Sequence, residues 1–167
     1  MVNFLQAVAI STAALMLSAC GRVHSRVTTQ PDELVIIKQV SSVSVKVTSE
    51  EQDQDLLELN EQWKNMATDE LRSMLSAKRI ASSDDGDVIV ECLIEVVYGS
   101  RALRYFVGFG AGTGHFRVAI ELKDREGKVR YSTLSEADLS VGAFGGSMDK
   151  VAKKSIKAAV KEFGSRL

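Results

Sequence analysis

Two cysteines, Cys20 and Cys92, and two histidines, His24 and His115, are the side chains of this 167-residue sequence best suited to covalent, acid–base or metal chemistry. A nucleophile–base pair needs thiol and imidazole within hydrogen-bond reach. The spacing argues against one. If Tyr98 and His115 flank a connection between antiparallel strands, Cys92 falls opposite position 121, about six residues or roughly 20 Å along the strand from His115. Cys92 also keeps the apolar phase of its strand and His115 the polar phase, so Cys92 reads as a small buried residue. Two cysteines and two histidines at unrelated spacings make no zinc set, and His24 lies in a polar, solvated stretch. Gly108, Gly110, Gly112 and Gly114 raise the question of a nucleotide loop. A dinucleotide fingerprint would need glycine at 113 or 115, where Thr113 and His115 stand, and a strand rather than a helix follows. No catalytic residue, metal or cofactor is therefore expected, and the chain reads as a non-enzyme.

Cys20 carries a different chemistry. It stands in Leu17-Ser18-Ala19-Cys20-Gly21, directly after the charge-free apolar run Phe4 to Ala19. That run is 16 residues, shorter than the roughly 20 needed to span a bilayer, and no stop-transfer pattern follows it. The arrangement resembles the lipobox of bacterial lipoproteins, in which the signal segment is cut before the cysteine and the cysteine is acylated. The resemblance implies a signal peptide over residues 1–19, lipid (palmitate) on Cys20, and the membrane as a partner through that lipid. Under the sorting pattern known from enteric bacteria, Gly21 after the cysteine implies the periplasmic face of the cell outer membrane; Asp there would imply the inner membrane, the other possible address.

Removing residues 1–19 from 167 leaves 148, one ordinary domain with room for a sizeable core. Lys and Arg number 21 against 22 Asp and Glu, a balance that argues against general nucleic-acid binding. If Cys20 is acylated, Cys92 has no partner and a disulfide framework is excluded.

The elements that position these residues follow from the hydrophobic period. Residues 20–33 are polar, hold the only proline, Pro31, and read as a flexible tether of the lipidated cysteine, reaching roughly 40–45 Å. Leu34 to Thr48 reads as a strand, with Val43, Val45 and Val47 alternating with polar residues. A helix follows, from a capping box at Ser49 to Arg79, with an apolar stripe through Leu56, Leu59, Trp63, Met66, Ala67, Leu71, Met74 and Leu75. Ser82 to Gly86 reads as a turn. Asp87 to Tyr98 is a strand burying Val88, Val90, Cys92, Ile94 and Val96; the next strand buries Phe116, Val118, Ile120 and Leu122. A hairpin through Gly127 leads to a partner strand ending near Val141, where Leu134 falls out of phase and suggests a bulge. The last helix runs from a Ser147 cap to Gly164. The order is β-α-β-β-β-α. It predicts a single α+β domain over residues 34–167, two-layered, with two helices on one face of a mostly antiparallel sheet.

Two segments are candidate interaction surfaces. Gly99 to Gly114 is a glycine-rich connection in which Tyr105, Phe106 and Phe109 add aromatic surface and Arg101 and Arg104 add charge, a composition suited to docking a partner. Lys150, Lys153, Lys154, Lys157 and Lys161 line one side of the last helix and suit an acidic partner, anionic lipid or cell-wall polymer. With Arg104 before the alternating glycines Gly108, Gly110 and Gly112, then a strand, Asp124 and Gly127, the chain resembles a bacterial lipoprotein family known only as domain of unknown function 4410. That resemblance implies a location and a fold but no activity. The function expected is a lipid-anchored envelope module for interaction or assembly that binds a protein partner. The alternative is a small-ligand or envelope-polymer binding module using the glycine-rich loops.

Overall fold

The decapeptide Val88–Val97 alternates strictly, and in the computed structural model every second side chain goes inward. The structure describes residues 23–29, 37–49, 54–97, 113–140 and 148–167. The strands are β1 (Val23–Thr29), β2 (Gln39–Ser49), β3 (Ala81–Ser82), β4 (Val88–Val97), β5 (Thr113–Asp124) and β6 (Val129–Ser140); the helices are α1 (Gln54–Ala77) and α2 (Met148–Ser165). They form a six-stranded sheet in the order β1-β6-β5-β4-β2-β3. Pairing is antiparallel at β1/β6, β6/β5 and β5/β4, and parallel at β4/β2 and β2/β3. The parallel pair β2/β4 needs a crossover, which α1 supplies. The α+β class with two helices thus matches the sequence reading, with β1 and β3 as additions.

β4 and β5 pair so that Cys92 faces Ile120, Val96 faces Phe116 and Val88 faces Asp124. This register is one residue from the one expected. The pleat decides it: a partner at 121 would set inward Cys92 against an outward residue, whereas partners at even numbers keep both apolar sets on one side. On that side Val90, Ile94, Phe116, Val118, Ile120 and Leu122 are fully buried. α1 covers them with Trp63, Ala67, Leu71 and Leu75, spaced by four; α2 adds Ala152, Ile156, Ala159 and Phe163. Trp63 meets Phe116 edge-on at 5.3 Å, and Phe163 stacks on Tyr131 at 5.2 Å. Burying a side chain of this size contributes about 1.5–3 kcal/mol.

Several local expectations change. Val23–Thr29, read as part of a tether, is an edge strand paired with β6 from Val23↔Ala137 to Thr29↔Ser132. Its sequence carries only two valines, so no apolar period marks it. Val27 packs on the core, and hydroxyl pairs Ser25–Ser135 at 3.0 Å and Thr28–Ser132 at 2.6 Å tie it across the strands. The β5/β6 irregularity falls at Leu122/Lys123, opposite Tyr131 and Val129, rather than at Leu134, which simply faces outward. α1 ends at Ala77 with Arg79 in the left-handed region (φ 59°) and Ile80 N–H donating to Leu75 O at 2.9 Å, a glycine-like stop made by arginine. Gly164 lies inside α2 rather than ending it; a Cβ there would stand 2.8 Å from Met74 Cγ, so glycine lets the helices close up. Gly127 does take the positive φ expected of the hairpin, 82°.

Gly86 makes the tightest backbone contact of this kind among the described residues. It closes the turn after β3 by donating its N–H to Ser83 O at 2.8 Å. A Cβ there would lie 2.5 Å from the carbonyl carbon of Val40 and 2.9 Å from Ser41 Cα, at the irregularity between Val40 and Ser42 of β2. These atoms belong to the Val40–Ser41 peptide, which as sheet backbone cannot swing away as a flexible side chain would. Gly86→Ala should therefore destabilise by about 1–3 kcal/mol. An unstrained Gly→Ala change would instead stabilise by about 0.4–1 kcal/mol, so the sign of the shift in urea midpoint decides whether this approach is real.

Candidate interaction surface

Both helices lie on one side of the sheet, which leaves the other face without a helix among the described residues. The strand register assembles its side chains: Glu91, Leu93 and Glu95 from β4; His115, Arg117, Ala119, Glu121 and Lys123 from β5; Leu134, Glu136 and Asp138 from β6; His24 and Arg26 from β1. Leu93, Ala119 and Leu134 are half-buried among them.

The charges are ordered across strands. Glu91 stands directly opposite Glu121, a like-charge pair that would repel. Lys123 Nζ lies 2.6 Å from Glu91 Oε2 and 3.0 Å from Glu121 Oε2 and bridges the two carboxylates, offsetting their repulsion. Its hydrogen bonds to Glu91 first and Glu121 second hold its pKa above the usual lysine value. Toward the other edge, Arg117 Nε meets Glu136 Oε1 at 3.0 Å, Arg117 Nη1 lies 3.9 Å from Glu95 Oε2, and Arg26 Nη2 lies 3.5 Å from Glu136 Oε2. This chain links β4, β5, β6 and β1. Exposed pairs of this kind contribute about 0–1 kcal/mol each, so their effect is to fix where charge sits. His115 Nδ1 and Asp138 Oδ1 are 2.9 Å apart at the end of the face. A cavity of about 370 Å³ lies there, lined by His24, His115, Arg117, Glu136 and Asp138 among others.

The two residues that raised the catalytic question are apart. Cys92 points into the core, pairs with Ile120 five residues from His115, and is 2 % exposed. Burial pushes its thiol pKa up to about 12. His115 is on the opposite face of the sheet. Among the described residues no group of three His, Cys, Asp or Glu side chains is placed to hold a metal, and no helix is long and apolar enough to cross a membrane.

Of the candidate site residues, Cys20, Arg101, Arg104, Tyr105, Phe106 and Phe109 lie outside the described residues. All five lysines of α2, from Lys150 to Lys161, are exposed. Two of them are neutralised: Lys153 pairs with Asp149 at 2.7 Å, and Lys157 reaches Glu70 of α1 at 3.5 Å. Lys150, Lys154 and Lys161 have no acidic partner among the described residues. The ordered charge ladder of the open face was not singled out from the sequence. Its signal was present in the polar phase of β5, Arg117, Glu121 and Lys123, but the partners come from strands whose register the sequence does not fix.

A family model described as domain of unknown function (DUF4410) matches residues 25–141, which takes in most of β1 and all of β2–β6. The chain belongs to that family. No curated protein sequence matches it. Among solved structures it is similar to the PelC dodecamer from Paraburkholderia phytofirmans, with 15% identity and a TM-score of 0.54 over 87% of this chain and 100% of that one. A single-substitution variant of the same PelC dodecamer gives 16% identity and a TM-score of 0.50, over 89% of this chain and 100% of that one. At such identity the likeness is one of fold.

Proposed function

We propose that this DUF4410 chain is a lipid-anchored periplasmic lipoprotein of the cell envelope, held by lipid on Cys20 in the outer membrane, that works as an assembly module rather than an enzyme. The observation that carries this reading is the sheet face that no helix covers among the described residues. It sets half-buried leucines among charges held in fixed cross-strand positions, the composition of a surface that meets another protein. Both signs occur along Arg26, Glu136, Arg117 and Glu95, so one copy of the face can complement another. The PelC structures similar to this chain are dodecamers, which supports self-assembly as the first association to test.

The mature chain should therefore exceed the monomer mass in light scattering at micromolar concentration. Arg117→Glu reverses the centre of the ladder and should shift the chain toward monomer, with little change in melting temperature, because the pairs it breaks are exposed. Monomer at every concentration for the unaltered chain would defeat the self-assembly reading.

A second reading, a small-ligand or envelope-polymer binding module, is favoured by one feature. The cavity beside His115 and Asp138, at about 370 Å³, falls in the size range of small-molecule sites and presents both charge signs and two imidazoles.

A further inference from the structure

The start of β1 restricts how the domain can sit on a membrane. Only Gly21 and Arg22 separate Cys20 from Val23, and Val23 is already paired with Ala137 of β6. Three residue steps span at most about 11 Å. The reach cannot be lengthened without stripping β1 from the sheet, where backbone pairing, the Ser25–Ser135 and Thr28–Ser132 hydroxyl contacts and the Arg26–Glu136 ion pair hold it.

That short leash leaves from a defined end of the domain. β6 runs toward Ser140 and β5 starts at Thr113 there, since Thr113 pairs with Ser140; β4 ends there, with Val97 opposite His115. α2 begins after β6 and runs back along it, because Tyr131, near the start of β6, stacks on Phe163 and donates to Glu162 O at 3.3 Å. Its first turns, with Lys150 and Lys154, therefore lie at the same end as Val23. The β5–β6 hairpin at residues 124–128 lies at the other end, the length of the 12-residue β5 away, roughly 37 Å.

Resting on the lipid-anchor reading above, we infer that this end of the domain is seated against the membrane that holds Cys20, with Lys150 and Lys154 meeting anionic headgroups and the 124–128 hairpin pointing away from the bilayer. The occupant follows from two facts: the length of chain between the acylated residue and the fixed strand, and the presence at this end of Lys150 and Lys154, which are exposed and have no acidic partner among the described residues. Each lysine near an anionic surface adds attraction that fades within a Debye length.

The test uses the full chain, acylated in bacterial cells and reconstituted in vesicles of phosphatidylethanolamine and phosphatidylglycerol carrying a short-range headgroup quencher. A fluorophore is placed on Asp138→Cys at the near end or Glu126→Cys at the far end; buried Cys92 does not compete for label. Quenching should be at least threefold stronger at position 138 than at 126. It should weaken when phosphatidylcholine replaces phosphatidylglycerol. Inserting twelve Gly/Ser residues between Arg22 and Val23 should bring the two positions toward equality. Equal quenching without the insertion, or stronger quenching at 126, would overturn the orientation even with palmitate present on Cys20. Absence of palmitate would overturn the anchor itself, and palmitate labelling reads that separately from the quenching.

Discussion

Phe116→Ala should lower the unfolding free energy by about 3–5 kcal/mol. Phe116 is fully buried on β5, opposite Val96 of β4 and Ala137 of β6, with Trp63 of α1 edge-on at 5.3 Å. Its strand is hydrogen-bonded on both sides, so the backbone cannot move in to fill the space left by the ring. Trp63, 1 % exposed, loses its contact face at the same time. The transfer term and the cavity term therefore both apply. Leu57→Ala on the same helix is the control: Leu57 is 56% exposed, and its truncation should stay within about 0.5 kcal/mol. Urea unfolding of both variants checks the pair. A loss below about 1 kcal/mol for Phe116→Ala would mean that α1 does not rest on β5 through this contact.

The same residue shows why part of the fold was legible in the sequence. Phe116, Val118, Ile120 and Leu122 form an unbroken alternation, as do Val88 through Val96, and each strand is buried on one face only. Such strands announce both their type and their inward side. The helical stripe through Trp63, Ala67, Leu71 and Leu75 does the same for α1. β1 is the opposite case. Val-His-Ser-Arg-Val-Thr-Thr has too few apolar residues to show a period, and its place in the sheet comes from pairing with β6 and from hydroxyl contacts with residues more than 100 positions away. Tertiary context, not local sequence, makes it a strand. At β4/β5 the positions of Tyr98 and His115 predict a register one residue from the observed one, because the length of a connection does not fix how the strands on either side of it pair. The apolar phases of the two strands were sufficient to correct it. The charge ladder of the open face was hidden for the same reason. Arg117 is visible as a polar position, but its meeting with Glu136 and Glu95 requires the pairing of three strands.

Alkaline pH should weaken the fold through Cys92. The thiol sits between Val45 of β2 and Ile120 of β5, 2 % exposed. A thiolate there would lose hydration and gain no cation, so burial raises the pKa from 9.0 to about 12. The sign follows from proton counts. Below pH 9 both states hold the proton and the contribution is fully present. Between pH 9 and 12 the unfolded chain has released it and the folded chain has not, so the unfolded state binds fewer protons and stability falls as pH rises. Three pH units correspond to about 4 kcal/mol. Tyr131 titrates in an overlapping window, raised from 10.0 to about 12 chiefly by burial, so the measurement must be a difference. Cys92→Ala removes the thiol and leaves Tyr131 in place. The variant should be the less stable protein at pH 7, because a buried sulfur is lost. Its stability should then fall less steeply than that of the unaltered chain, closing the gap by about 2 kcal/mol between pH 9 and 11. Urea midpoints at four or five pH values give both curves. Parallel curves would mean that water or a cation reaches the sulfur in the folded state, and that the inward face of β4 is not the dry core on which the α1 and α2 packing depends.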